Sequence, residues 1–323
     1  MSIEDFAQLS DRAIMFASFV YAGALLAHVA EWARSMSRPA AVRRERVAVG
    51  APGPAEAAPS AEALERWELK IESSARIGVA LTVVGALLHL VGVVARSFAT
   101  DPVRVPWGNM YEFTVTGTLV VVIGYLALLR RLDLRWLGLF LTAFVVVTLM
   151  AANLLLITSA GPLVPALHSY WLVIHVGAAM VSSGAFALGA LASLVFLLKA
   201  RGEERPGSRL ARISRLFPAG DALDRFAYRV HAVGFPLWTF AVLIAGPIWA
   251  EYAWGSYWNW DPKEVWAFIT WVCYAAYLHA RATAGWKGKA AAMLALIGFA
   301  SLLFNFVGIN FFFGGGSMHS YAG

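Results

Sequence analysis

Seven histidines, His28, His89, His168, His175, His231, His279 and His319, and a single cysteine, Cys273, carry the coordination chemistry of this 323-residue chain. One cysteine excludes an internal disulfide, a Cys zinc site and a CxxC redox pair. Imidazole is what remains for a metal. Beside it stands an unusual density of aromatic rings. Five tryptophans, Trp249, Trp254, Trp258, Trp260 and Trp266, fall within eighteen residues. Trp249 and Trp266 also suit the membrane interface, where Trp anchors. Trp254, Trp258 and Trp260 lie in a loop far denser in Trp than anchoring requires. A dense aromatic shelf suits a large, flat, apolar ligand. Two histidines flanking it, His175 and His319, are what an axially ligated haem needs, since a neutral imidazole offers iron one nitrogen from each face. A polar surface role is the commoner one for a residue such as His319. Asp261, Pro262 and Glu264 read first as a helix start: N-cap, first-turn proline and capping-box glutamate. Asn109 and Glu112 repeat that grammar.

Composition dictates the elements that hold these residues. Hydrophobic residues make up 59% and charged residues 14%, against about a quarter charged in soluble domains. That excludes one soluble core, and disorder with it. The expected fold is an all-α integral membrane protein. With about 20 apolar residues per span, eight spans are expected, at 13–33, 75–96, 113–130, 136–157, 171–199, 230–250, 264–284 and 290–313. The fifth is long enough to extend past the membrane. Of the 26 Lys and Arg residues, 22 fall in one set of loops and 4 in the other. The positive-inside rule then places both termini outside the cytoplasm. The basic excess therefore calls for no nucleic-acid partner. Glu4, Asp5 and Asp11 stand where a signal peptide would be basic.

Residues 48–61 form an Ala/Pro/Gly linker within a cytoplasmic stretch of about 35–70. Residues 208–229 read as an amphipathic helix on the inner surface. His175 then lies about 6 Å below the outer edge of the fifth span. His319 follows the last span behind Gly314, Gly315 and Gly316, which let the tail fold back. His168 sits near the same outer level and competes with His175. His279 and His28 lie near the cytoplasmic ends of their spans. A second, intramembrane site through His279 is one reading there, and hydrogen-bonded packing is the other. His231 reads as interfacial.

The run Trp254-Gly255-x-x-Trp258-x-Trp260-Asp261-Pro262-Lys263-Glu264 resembles the tryptophan-rich WWD signature of haem-handling proteins, and is most similar to the CcsA/ResC family of system II cytochrome c biogenesis. Supporting pieces are Pro106-x-x-Asn109-Met-Tyr111-Glu112, Trp171-Leu-x-x-His175-Val, Gly234-Phe235-Pro236-Leu237, Leu278-His279-x-Arg281 and His319-Ser320-Tyr321. They run from about residue 100 to the end.

The resemblance implies a cytochrome c assembly domain at 96–323, with two further spans and the linker in 1–95. It implies a CcsB/ResB-type membrane partner. It also implies outward transport of haem b, ferrous when attached, and thioether formation with the CxxCH cysteines of an apocytochrome c. Extracytoplasmic thioredoxin-like proteins would keep those thiols reduced. By motif position His175 and His319 match outer axial ligands around the WWD residues Trp254, Trp258, Trp260 and Asp261. His279 matches an intramembrane ligand whose opposite ligand the partner supplies; His28 is an in-chain candidate. Many relatives carry Gln where this chain has His168. The chain lacks an obvious nucleophile or base, so it would position reactants and tune iron, as a synthase of the holocytochrome c type only with its partner. The alternative is a non-enzymatic haem exporter or chaperone. An ion-coupled transporter would want mid-membrane carboxylates. The membrane would be the bacterial cytoplasmic membrane, or the thylakoid in a plastid. The charge split carries its own test. A reporter fused after Gly323 should behave as extracytoplasmic, and a cytoplasmic signal would overturn the eight-span arrangement.

Overall fold

Without water, each backbone N–H must find its partner within its own segment, so apolar runs of this length fold as helices. The computed structural model describes residues 1–37, 61–161, 169–313 and 317–319, and these are helical, with no strand among them. The helices are α1 (Ile3–Met36), α2 (Ala61–Phe98), α3 (Met110–Leu129), α4 (Gly138–Ala151), α5 (Tyr170–Glu203), the short α6 (Arg209–Ser214), α7 (Gly220–Thr239), α8 (Gly246–Trp254), α9 (Pro262–Thr283), α10 (Lys289–Leu303) and α11 (Ile309–Phe312). Three π-helical turns, Ala152–Leu156, Phe240–Ala245 and Phe304–Gly308, extend the C-terminal ends of α4, α7 and α10.

Among the described residues, seven helical segments are long and apolar enough to cross a membrane. The chain is a multi-pass membrane protein. The eighth expected span is α9. At 22 residues it covers about 33 Å, but its most apolar stretch, with several Trp and Tyr and with His279 and Arg281, is less apolar than those of the other seven. At 34 residues, α5 reaches about 51 Å and outruns the hydrocarbon core. The linker lies mostly outside the described residues, and α2 already begins at Ala61. The expected surface helix at 208–229 is instead three pieces. Helix α6 ends at Ser214, a turn buries Phe217 against Trp32 and Phe140, and 220–229 open α7. Aromatic packing under α1 outweighs the amphipathic pattern.

Helices α1 and α2 are held together by a repeated fit. Ile14, Tyr21 and His28, seven residues apart on α1, face Gly92, Gly85 and Gly78, seven residues apart on α2. A Cβ at these glycines would lie 2.6, 2.9 and 2.7 Å from the opposing side chain. Small residues let helices approach closely where lipid supplies no hydrophobic drive between them. His28 is thus the third knob of a packing stripe. A Cβ on Gly138 of α4 would also meet it, at 2.7 Å, and its Nδ1 lies 3.1 Å from the Glu31 carboxylate.

At the end of the bundle where α2 finishes and α3 starts, the helices are tied by charge. Glu112, whose side chain is fully buried, accepts two hydrogen bonds from Arg104, at 2.7 and 3.0 Å, and one from Arg96 at 3.2 Å. It also accepts from the Gly108 N–H at 2.9 Å. Asn109 caps α3, as expected, by accepting from the Glu112 N–H. Arg96 stacks on Tyr111 and reaches Asp11 and the Thr158 carbonyl. Removing one partner of a buried pair strands the other charge. Glu112→Ala should therefore cost about 3 kcal/mol in thermal unfolding of the micelle-solubilised protein. Arg96→Ala on top of it should cost little more. Full additivity would show that the two side chains do not share an ion pair.

Candidate functional site

The loop between α8 and α9 is shaped by two carboxylates. Gly255 ends α8 in the left-handed conformation, φ 72°, where glycine carries no Cβ penalty. Asp261 caps α9, and Pro262 and Glu264 complete the capping box. The Glu264 carboxylate also accepts from the Asn259 N–H at 2.8 Å and the Asp261 N–H at 3.2 Å. It therefore grips the backbone on both sides of Trp260. Trp260 sits at φ 59°, a strained conformation for a bulky residue that survives only where surroundings over-determine it. Its ring is 78% exposed.

Asp261 has a second task. Its carboxylate accepts from His319 Nδ1 at 3.0 Å, the Ser317 hydroxyl at 3.0 Å and the Met318 N–H at 2.6 Å. The C-terminal tail is thereby fastened to the start of α9. The His319 ring lies 4.7 Å from Trp254 and 5.4 Å from Trp249. Trp249 also meets the other imidazole: His175 on α5 lies parallel to it at 5.8 Å. His175 Nδ1 faces the Ala241 carbonyl at 2.9 Å. A carbonyl only accepts, so Nδ1 holds the proton and Nε2 keeps its lone pair. Gly246 makes room, because a Cβ there would sit 3.0 Å from the His175 ring.

Both imidazoles line one cavity of about 540 Å³, walled by Trp107, Trp238, Trp249, Trp258, Phe113 and Phe306 among others. The volume is that of a small-molecule site. All three π-helical turns contribute residues to it: Leu155 and Leu156, Val242, and Asn305 to Val307. Such turns widen a helix and frequently mark functional sites. The one at Phe240–Ala245 supplies the Ala241 carbonyl that orients His175.

The other residues singled out by sequence are spread more widely. Trp258 lines the cavity; Trp254 stands behind it against His319, and Trp260 points away. Asp261 touches His319 rather than the cavity. His279 is exposed on α9 near its inner end, and His28 is buried between α1, α2 and α4. His168 and the three tail glycines lie outside the described residues. His231 is fully buried against Phe186, Tyr274 and Tyr277, not interfacial, because Gly189 opens a notch for it on α5. Sequence reasoning did not single out Trp107 or Lys263 as lining residues, though Lys263 stands inside the WWD run and Trp107 inside the Pro106–Glu112 motif. It left Trp249 between anchor and site; the structure buries it, in contact with both imidazoles.

Burial alone would raise the Asp261 carboxyl. The hydrogen bond and charge of His319, with the Lys263 and Met318 N–H groups, more than offset this and hold it down at about 2. A depressed carboxylate gives its stabilisation fully above the ordinary value of 3.8 and loses it as pH falls towards about 2. Asn keeps the cap but does not titrate. Asp261→Asn should therefore flatten the acid loss of thermal stability over that window, and an unchanged slope would remove Asp261 from it.

Comparison with known proteins places this architecture. The model of the cytochrome C assembly protein family matches residues 107–315. Cytochrome c biogenesis protein CcsA of Gloeobacter violaceus is 37% identical over 291 residues, covering 73% of this chain and 83% of its own. The CcsA of Guillardia theta is 35% identical over 232 residues, covering 67% and 76%. That of Synechococcus elongatus is 42% identical over 201 residues, covering 50% and 61%. The matched region contains both spans and loops that build the cavity, from Trp107 to the end of the last helix, and this chain belongs to the CcsA family of cytochrome c assembly proteins.

Proposed function

We propose that this chain carries haem b to the extracytoplasmic face and holds it there for covalent attachment to the CxxCH cysteines of apocytochrome c. It does so as the CcsA-type subunit of a cytochrome c synthase, beside a CcsB/ResB-type partner. The observation that carries the reading is the pair His175 and His319. Each has its Nδ1 engaged, by the Ala241 carbonyl and the Asp261 carboxylate, and each lines the same aromatic cavity. Engaging Nδ1 fixes the tautomer and ring direction and leaves Nε2 for iron. The donor set and the apolar walls fit a haem. The chemistry is addition of a cysteine S–H across a haem vinyl double bond, with the iron reduced and the thiols kept reduced by thioredoxin-like proteins. This chain's part is positioning. The two imidazoles set the iron's environment, and the walls keep water from the macrocycle. His279 suits the intramembrane ligand, since its exposed place on α9 leaves it open to a second subunit. His28 is already filled in on three sides.

The reading is tested by opening one axial position. His175→Gly or His319→Gly should abolish cytochrome c maturation, and added imidazole should restore part of it. His168→Ala should do much less, and His279→Ala should lower haem content with the outer pair intact. If His168→Ala were lethal and His175→Gly tolerated, the ligand assignment would fall. If the purified complex bound haem but attached none to an apocytochrome, the exporter function would stand instead.

A further inference from the structure

The cavity wall is mostly apolar and aromatic, with Asn109, Asn305, Asn310 and several Thr and Ser side chains as its neutral polar groups. Apart from the two histidines, its charged lining side chains are Lys263 and Glu264, adjacent on the first turn of α9. Their situations differ. The Glu264 carboxylate is committed to the backbone N–H groups of Asn259 and Asp261. The Lys263 ammonium donates to the carbonyl of His319 at 3.2 Å. A carbonyl takes one of its three protons and leaves its charge unmatched. Among the described residues no carboxylate lies within 4.0 Å of it. The nearby Asp261 carboxylate is occupied by the Lys263 N–H, Ser317, Met318 and the His319 ring. A partly buried cation that touches no carboxylate and has only the more distant pull of Asp261 is costly to hold, and an anionic group on the cavity's occupant would lower that cost.

We propose that Lys263 is the carboxylate-binding residue of this cavity, seating the propionate edge of a haem beside His319. This rests on the haem reading above and adds what that reading lacks, a group that fixes rotation about the axis through the two imidazoles. Two axial ligands leave the macrocycle free to turn in its own plane. A charge at one point of the wall selects one orientation, with the propionates at the start of α9 and the vinyl-bearing side turned away from it. Haem b, whose carboxylates are free, is then distinguished from a macrocycle of the same shape without them.

The test uses the full-length chain in detergent micelles, titrated with ferric haem b and with its dimethyl ester, which has the same ring and vinyls but no carboxylates. The wild-type chain should bind haem b at least about tenfold tighter than the ester, or about 1.4 kcal/mol. The preference should shrink as salt rises. Lys263→Met should bind both within about twofold, with the bis-histidine spectrum kept. Lys263→Arg should retain the preference. A wild-type chain that binds the two equally would overturn the proposal without any variant. So would a Lys263→Met chain that keeps the tenfold preference. Either result leaves the haem reading intact if the spectrum still changes in His175→Gly. A chain that binds neither compound overturns both.

Discussion

One carboxylate organises the end of this protein that carries the aromatic cavity. Asp261 caps a helix, and the same two oxygens hold the tail that carries His319. Either task alone is ordinary. Together they mean that the start of α9, the direction of the tail and the orientation of an imidazole are set by one group. The carboxylate must first be aimed, and Glu264 aims it. By holding the N–H groups of Asn259 and Asp261 it forces the loop through the strained Trp260. A residue at φ 59° with its ring in the open gains little from packing. Its conformation is compensated by the hydrogen bonds on either side, and the resulting bend presents Asp261 to the tail.

The facing imidazole is held by different means. His175 sits in the middle of the fold's outer half, on a long helix, and two backbone features receive it. Gly246 gives the ring space and the π-helical turn at Phe240–Ala245 offers a carbonyl. Trp249 packs against both histidines. The aromatic density that suggested a flat ligand is thus partly spent on the histidines themselves. Trp249 and Trp254 pack the imidazoles, while Trp107 and Trp258 face the space between.

What could be read beforehand was local or periodic. The spans follow from hydropathy. The caps at Asn109 and Asp261 follow from a grammar that acts over three residues. The outer clustering of His175, His319 and the tryptophans follows from span order. What could not be read was tertiary. Glu112 looked like a capping-box residue. In the fold it takes Arg96 and Arg104, sixteen and eight residues away, and the Gly108 N–H instead of that of the cap residue. No sequence pattern announces a π-helical turn, so the cavity's width and the partner of His175 were hidden. His231 stood at a basic helix start and looked interfacial. Its burial depends on Gly189, a notch on another helix that α7's own sequence does not reveal.

The two outer histidines are unequal, and the inequality follows from how each is anchored. His175 is carried by a 34-residue helix, and moving it means repacking α5 against α7. His319 is carried by a tail, and a handful of side-chain contacts through Asp261, Lys263 and two indoles hold it. Segments tied by few contacts open at far lower free energy than helices in a bundle. The place of His319 therefore rests on side-chain contacts and that of His175 on helix packing. The same asymmetry explains why the tail is fastened through a cap residue. Asp261 is held by the helix start as well as by the tail, so its place does not rest on the tail contacts alone.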